Sequence, residues 1–183
     1  MTTLDDVLRT ESPEHIEALL DDADVVFLVD WRELDDAIAE LCNHCLHASH
    51  PGAPELTAEL VDVGGDGEPG LYHRFGTRRA RVPLAGAPSD RHATLVAIHA
   101  ILAPEYELRM CTDSLASDTI GFVALSAERW RELEGEHGEA VGRLFHLLDP
   151  ADDPFAGEPA PAAAQPVPVA ARVSKKPWWA FWR

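Results

Sequence analysis

The segment 106–126, YELRMCTDSLASDTIGFVALS, decides the fold. In its first six residues apolar and polar side chains alternate, which is typical of a strand with one buried face. The run Ile120–Leu125 is apolar and predicts a partner strand. The eight residues Thr112–Thr119 connect the two strands, and such a short connection favours antiparallel pairing.

Further strands are predicted upstream of this pair. The apolar run 25–29, VVFLV, indicates a buried strand, with a continuation of the preceding helix as the alternative. A β-rich middle follows, with strands at 56–63, 71–75 and 79–84 separated by turns at Gly64–Gly67 and at Gly76. The short links between these strands again favour an antiparallel sheet.

Helical periodicity appears before, between and after the strands. The predicted starts are Ser12, Asp30 or the residues just after it, Ser89 or Asp90, and Ser126. In the last of these helices Gly135 and Gly138 weaken the middle. The expected fold class is therefore α+β, with an antiparallel sheet of about five to six strands and three to four helices packed on one face.

The composition divides the chain into three parts. Residues 1–149 form the acidic α+β domain, and from Pro150 onward prolines alternate with alanines. Such a segment buries too little apolar surface to offset the entropy of ordering it, so 150–174 is predicted to be a disordered linker. A basic, tryptophan-rich tip, 175–183, follows.

The charge is segregated along the chain. The net charge is −17, but residues 1–157 hold 31 acids and 11 bases, a net of −20, while 158–183 hold one acid and four bases, a net of +3. An acidic body repels nucleic-acid phosphate, so nucleic acid is not an expected partner. The body would suit a basic partner, or its charge simply serves solubility.

The sequence also predicts a compartment. The N-terminus is polar and acidic, unlike a signal peptide, and no run of about 18 apolar residues occurs. The three cysteines form no disulfide framework. We expect a cytoplasmic protein, with peripheral attachment at the inner membrane as an option that the tip leaves open.

The tip carries the sharpest functional signal. Three of the five tryptophans of the chain and one phenylalanine lie within five residues, and basic residues flank them. Exposed aromatic groups usually mark an interaction site, either a lipid headgroup interface or a pocket on a partner protein. The alternative is that the tip folds back onto its own domain. The candidate binding residues are Lys175, Lys176, Trp178, Trp179, Phe181, Trp182 and Arg183.

The segment 42–50, CNHCLHASH, has the residue types of a metal or redox site. Cys42, Cys45 and His47 are the metal candidates, but a second Cys-x-x-Cys half-site is missing. The cysteines also lie near the C-terminal end of a predicted helix, where the dipole destabilises a thiolate. We therefore interpret them as core residues and the neighbouring histidines as capping residues, and predict no metal or cofactor.

Two polar groups are weaker candidates. Arg74, Arg78, Arg79 and Arg81, next to His73, form the only basic cluster of the body, which either binds an anion or is the solvated face of a hairpin. The loop residues Asp113, Ser114, Ser117 and Asp118 either form a cation or acid–base site or serve as turn residues. For both groups the structural interpretation is favoured.

Two segments resemble elements of an uncharacterised bacterial family, a domain of unknown function. They are FLVDWRE, Phe27–Glu33, followed by an amphipathic helix, and Tyr106–Arg109 together with Asp113-Ser114, Ser117-Asp118-Thr119 and Phe122. The resemblance covers about residues 20–146 and leaves the Pro/Ala arm outside. It implies a bacterial cytosolic α+β domain and assigns no activity.

No catalytic motif rises above chance, so an enzyme is not favoured. The leading hypothesis is a non-enzymatic interaction or regulatory module that its tip tethers to a protein partner or a membrane surface. A second is an acidic inhibitor or immunity-type protein that covers a basic partner. A third is a small metal-dependent enzyme that uses Asp113, Asp118 or the cysteine–histidine segment.

Overall fold

The structure is a computed structural model that describes residues 2–30, 32–62, 69–84, 90–116 and 118–155. Within these ranges five helices and seven strands confirm the α+β class. The helices are α1 (Leu4–Thr10), α2 (Pro13–Leu20), α3 (Asp35–Ser49), α4 (Arg91–Leu102) and α5 (Ala127–Leu144). The strands are β1 (Phe27–Asp30), β2 (Leu56–Val61), β3 (Gly70–Phe75), β4 (Arg78–Arg81), β5 (Tyr106–Cys111), β6 (Thr119–Ser126) and β7 (Phe145–Leu147).

The strands form two antiparallel sheets rather than the single sheet that the short links suggested. One has the order β1-β6-β5-β7 and the other the order β2-β3-β4. The connection from β4 to β5 contains α4, which carries the chain from the small sheet to the large one. The helices also number five instead of three to four, because α1 precedes the first helix that we predicted.

The four-stranded sheet is covered on both faces. On one face α3 and α4 pack on Phe27, Phe122 and Leu108, which belong to the larger core cluster. On the other face α1, α2 and α5 enclose Val123 and Trp130 in a second cluster. Six consecutive residues of β6 are therefore buried, which explains why its sequence is apolar instead of alternating.

The three-stranded sheet is covered on one face. Its inner side chains, Leu71 and Phe75 among them, are buried, and Leu71 packs with Val82 and Ala97 beneath α4. Its outer face carries charged residues of β3 and β4. The turn between these strands contains Gly76, whose φ of 58° favours glycine.

Side-chain caps fix the starts of most helices. The caps predicted at Ser12, Asp90 and Ser126 are confirmed, each accepting a hydrogen bond from a backbone N–H three residues later. α3 begins at Asp35, later than its expected start near Asp30, and its N-cap residue makes no side-chain bond.

Two further features follow from local sequence. α1 begins with a reciprocal capping box between Thr3 and Asp6. α5 has non-helical backbone angles at His137, between the two glycines that were expected to weaken it. Among the described residues, no helix is long and apolar enough to cross a bilayer.

The chain remains packed for several residues past β7. Phe155 is 8% exposed and joins the larger core cluster, although composition placed the linker at 150–174. His92 Nε2 lies 3.3 Å from the carbonyl oxygen of Pro150. The rest of the predicted linker and the tip lie outside the described residues.

Candidate functional site

The aromatic tip, residues 175–183, lies outside the described ranges. Its seven candidate residues therefore stay predictions. The other candidate groups lie in the folded body, where their surroundings decide what chemistry each can perform.

The cysteines are core residues. Cys42 and Cys45 are 0% and 2% exposed, and the Cys45 thiol donates to the carbonyl oxygen of Ala23. Burial raises the pKa of Cys42, and burial together with nearby carboxylates raises the pKa of Cys45 to about 12. A thiol that stays protonated is a poor nucleophile and a poor metal ligand. This environment supports our interpretation of them as packing residues.

His47 does not complete a metal site with these cysteines. Its Nε2 atom is buried without a hydrogen-bond partner. Of the residues that the structure describes, a single group of three potential ligands converges within 4.8 Å, and it is Asp5, Glu136 and His137. Arg129 already binds Asp5 at 2.5 Å, and its positive charge opposes a cation there.

The loop serine has a structural role. The Ser114 hydroxyl is buried, donates to the carbonyl oxygen of Cys111 at 2.6 Å and accepts from the backbone N–H of Gly121 at 2.8 Å. Both bonds hold the connection between β5 and β6, so this hydroxyl is not available as a nucleophile. Asp113 and Asp118 are exposed, and Ser117 lies outside the described residues.

The four arginines of the candidate anion site do not share one face. Cross-strand pairing places Arg74 opposite Arg79 and Tyr72 opposite Arg81, all on the outer face, whereas Arg78 pairs with Phe75 on the inner side. The predicted four-residue cluster is thus split, because side chains alternate along β4.

Neighbouring groups engage three of these arginines. Arg78 binds Glu105 at 2.9 Å and also donates to the carbonyl oxygen of Ala103. Arg79 binds Glu59 at 3.2 Å and lies 3.7 Å above the ring of Tyr72. Arg81 donates to the carbonyl oxygen of Pro69, while Arg74 is exposed. These contacts support the interpretation of a solvated hairpin face.

His73 points away from the arginines beside it in sequence. It is 0% exposed on the inner face of β3, and neither ring nitrogen has a hydrogen-bond partner among the described residues. Burial lowers its pKa to about 4, so it is neutral at physiological pH. The alternation of Leu71, His73 and Phe75 with Tyr72 and Arg74 was the signal that could have separated it from the basic cluster.

Arg109 forms a buried polar centre that motif analysis did not identify as important. It is 5% exposed and binds Glu107 and Glu134, each at 2.8 Å. Its guanidinium lies 4.3 Å from the ring of Trp130, whose Nε1–H donates to the carbonyl oxygen of Glu107. These contacts fasten α5 to β5.

A cleft lies at the β7 edge of the four-stranded sheet. Its volume is about 620 Å³, within the size range of ligand pockets. The cleft joins apolar and acidic groups, and its lining includes Met110, Thr112, Leu115, Leu147, Asp149 and Asp152. The Thr112 hydroxyl is buried and has no hydrogen-bond partner among the described residues. A smaller cleft of about 350 Å³ lies beside β1 at the opposite edge.

Comparisons of the chain with protein-family models, with curated proteins and with solved structures found no significant match. The resemblance to an uncharacterised bacterial family therefore stays a prediction, and the function is argued from the residues of this chain.

Proposed function

We propose that the protein is a non-enzymatic interaction module that its C-terminal tip attaches to a protein partner or a membrane surface. One observation carries this proposal: four aromatic residues, Trp178, Trp179, Phe181 and Trp182, stand within five positions at the end of a Pro/Ala-rich arm. Large apolar groups clustered this far along the chain from the folded domain are typical of a binding motif.

The body supports the proposal through the state of its reactive groups. The Ser114 hydroxyl is engaged by the backbone on both sides, and the three cysteine side chains are buried. Burial is also the main cause that raises the pKa of Cys111 to about 12. These groups serve packing and loop structure, which leaves binding as the chemistry to which the chain is best suited.

Charge and aromatic burial contribute separately to the binding that we propose. A basic residue near an anionic surface contributes about 1 kcal/mol, so Lys175, Lys176 and Arg183 together would supply about 3 kcal/mol, or about 100-fold in affinity. The aromatic rings add apolar area that either a lipid interface or a protein pocket can bury. A partner protein would depend mainly on the rings, because Trp is a preferred anchor residue at interfaces.

The test compares full-length variants in two assays. Flotation with vesicles that contain anionic lipid measures membrane binding, and cross-linking followed by affinity capture measures protein binding. We expect the triple variant Trp178→Ala, Trp179→Ala, Trp182→Ala to lose the interaction. We expect the charge variant Lys175→Gln, Lys176→Gln, Arg183→Gln to lose about 100-fold on vesicles but less on a protein.

A matched control changes the arm without changing the tip. Val167→Ala with Val169→Ala removes apolar groups from the same arm and should leave binding unchanged. Equal binding by wild type and by the triple tryptophan variant, in both assays, would contradict the proposal.

An acidic inhibitor is the second candidate. Residues 11–40 hold 11 acids and one base, Arg32, and they span α2, β1 and the start of α3. A surface of this charge would steer a basic partner toward it. Association that does not weaken between 0.05 and about 0.5 M salt, where screening becomes strong, would rule this candidate out.

A further inference from the structure

We infer that the cleft beside β7 is the docking site of the chain's own tip, residues 175–183, and that it holds the tip until an external target takes it. This inference rests on the proposed function, since it supplies the resting position of the tip that the proposal assigns to binding. The cleft and the external target then compete for the tip, and occupancy of the cleft regulates how tightly the protein attaches to its target.

The cleft offers apolar surface that the domain does not use. Five large hydrophobic side chains are exposed among the described residues, and two of them, Leu115 at 45% and Leu147 at 54%, line this cleft. Within the part of the chain that the structure describes, β7 is also an edge strand, paired with β5 alone. Exposed apolar side chains along a sheet edge attract a partner segment. Aromatic rings would cover both leucines at once.

The charges of the cleft and the tip are complementary. Asp149 and Asp152 line the cleft, and its lining contains no lysine or arginine. The tip carries Lys175, Lys176 and Arg183 and no acid. A basic, aromatic segment therefore matches both the apolar floor and the acidic side of this cleft.

The arm has the length and the origin that docking needs. It leaves the described domain after Phe155, directly beyond the cleft residue Pro154. The 19 residues 156–174 separate this point from the tip. A flexible chain of that length spans about 25 Å, comparable with the roughly 15 Å radius of gyration of a domain of this size. The tip can therefore return to the cleft where its arm begins.

Because the arm tethers the tip to the domain, a weak contact is enough to keep the tip in the cleft. A short flexible linker gives an effective concentration of about 1 mM, so a dissociation constant of about 0.1 mM would keep the cleft about 90% occupied. An external target then binds with an affinity lowered about tenfold, because only the open fraction of the tip is competent.

The test uses a spin label on the full-length chain. The native thiols Cys42, Cys45 and Cys111 are buried, and burial raises the pKa of each, so the single substitution Ser174→Cys adds one reactive thiol beside the intact tip. We expect the spin label to broaden the backbone amide NMR signals of Leu115 and Leu147 and to spare that of Leu60, on the far edge of the other sheet.

Substitution of an exposed leucine by lysine supplies the matched variants. Leu147→Lys removes apolar contact from the cleft and places a positive charge against the basic tip. Leu147 is exposed, so the core is not disturbed, and a tenfold weaker contact would lower occupancy from about 90% to about 50%. Leu60→Lys, at a position 74% exposed, should leave the broadening at Leu115 unchanged. Leu147→Lys should also raise the affinity of the tip for its external target about fivefold, because the open fraction rises from about 10% to about 50%.

Three results would overturn the inference. One is no broadening at Leu115 and Leu147. The second is broadening centred on Leu28, which would place the tip in the β1 cleft. The third is broadening that appears only when spin-labelled and isotope-labelled chains are mixed, which would make the occupant a second copy. If the full-length protein binds neither vesicles in flotation nor a protein in affinity capture, the proposed function is contradicted, while the NMR broadening is unaffected. The two failures are therefore distinguishable.

Discussion

The two sheets of the domain differ in how they are covered. The four-stranded sheet has helices on both faces, and its central strand β6 is buried over six consecutive residues. The three-stranded sheet has one packed face, and its outer face carries arginines, of which Arg79 binds Glu59 and lies over the ring of Tyr72. We conclude that stability resides mainly in the large sheet, while the small sheet tolerates change on its outer face.

The difference also separates two kinds of arginine. Arg109 in the large sheet is buried and holds two carboxylates against Trp130. Arg79 in the small sheet makes a similar set of contacts, an acid and an aromatic ring, but its side chain is 43% exposed. The contacts of Arg109 should therefore contribute more to stability than those of Arg79, because solvent screens the exposed ion pair.

The largest expected effect is in the core of the four-stranded sheet. Phe122 is 0% exposed and stacks on Phe27 with ring centroids 5.6 Å apart. Phe122→Ala should lower the free energy of unfolding by about 3–5 kcal/mol, because it removes buried area and leaves a cavity. Leu60→Ala, at an exposed position of the small sheet, should change it by less than about 0.5 kcal/mol. Urea unfolding measures the free energy of unfolding of both variants. Equal losses would contradict the conclusion that stability resides mainly in the large sheet.

The two arginines provide the next comparison. Arg109→Met should cost about 2–3 kcal/mol, since Glu107 and Glu134 lose their shared partner and the contact with Trp130 weakens. Arg79→Met should cost less than about 1 kcal/mol. Denaturant unfolding at pH 7 checks both values, and a larger loss for Arg79→Met would contradict the distinction between the sheets.

At pH 7 the smallest of the three expected effects concerns His73, whose contribution also changes with pH. Its pKa in the folded state is about 4, below the ordinary value of about 6.5, so the folded state binds fewer protons than the unfolded state between these values. The contribution of His73 to the free energy of unfolding is therefore fully present above pH 6.5. It falls by about 3 kcal/mol as the pH falls toward 4.

Replacement of this histidine isolates its contribution. His73→Leu should flatten the decline in stability between pH 6.5 and pH 4 and should raise stability by about 1 kcal/mol at pH 7, because two buried nitrogens without partners are removed. His146→Leu, at an exposed position, should leave the decline unchanged. Unfolding midpoints at pH 7 and at pH 4.5 decide the matter, and parallel pH profiles of wild type and His73→Leu would contradict the account.

Local sequence patterns predicted the individual helices and strands better than they predicted how the strands assemble into sheets. The alternation at 106–111 located β5 to the residue, and the hydroxyl and carboxylate caps located the starts of α2, α4 and α5. The division into two sheets was missed, because strand periodicity defines a buried face without saying which other strands share it. The short β7 was missed because Leu144 and Phe145 continue the apolar pattern of the preceding helix.

The site was only partly predictable for a similar reason. The cysteines were correctly interpreted as core residues, since the dipole and periodicity arguments are local. The β7 cleft was not foreseen, because Leu115, Leu147 and Asp152 come together only through the pairing of β5 with β7 and the turn that follows. α1 was not predicted, although the Thr3-x-x-Asp6 spacing of a capping box is a detectable signal for its start.

The central claim is that the aromatic tip meets a target outside its own domain. The most direct measurement places a photo-cross-linking amino acid at Ala180, between the rings, and separately at Gln165 in the arm, and irradiates cells that make the full-length protein. We predict a defined protein or lipid adduct from position 180 that disappears when Trp178, Trp179 and Trp182 are replaced by alanine, and none from position 165. The same adducts from both positions, or adducts at 180 that survive the tryptophan replacements, would contradict the claim.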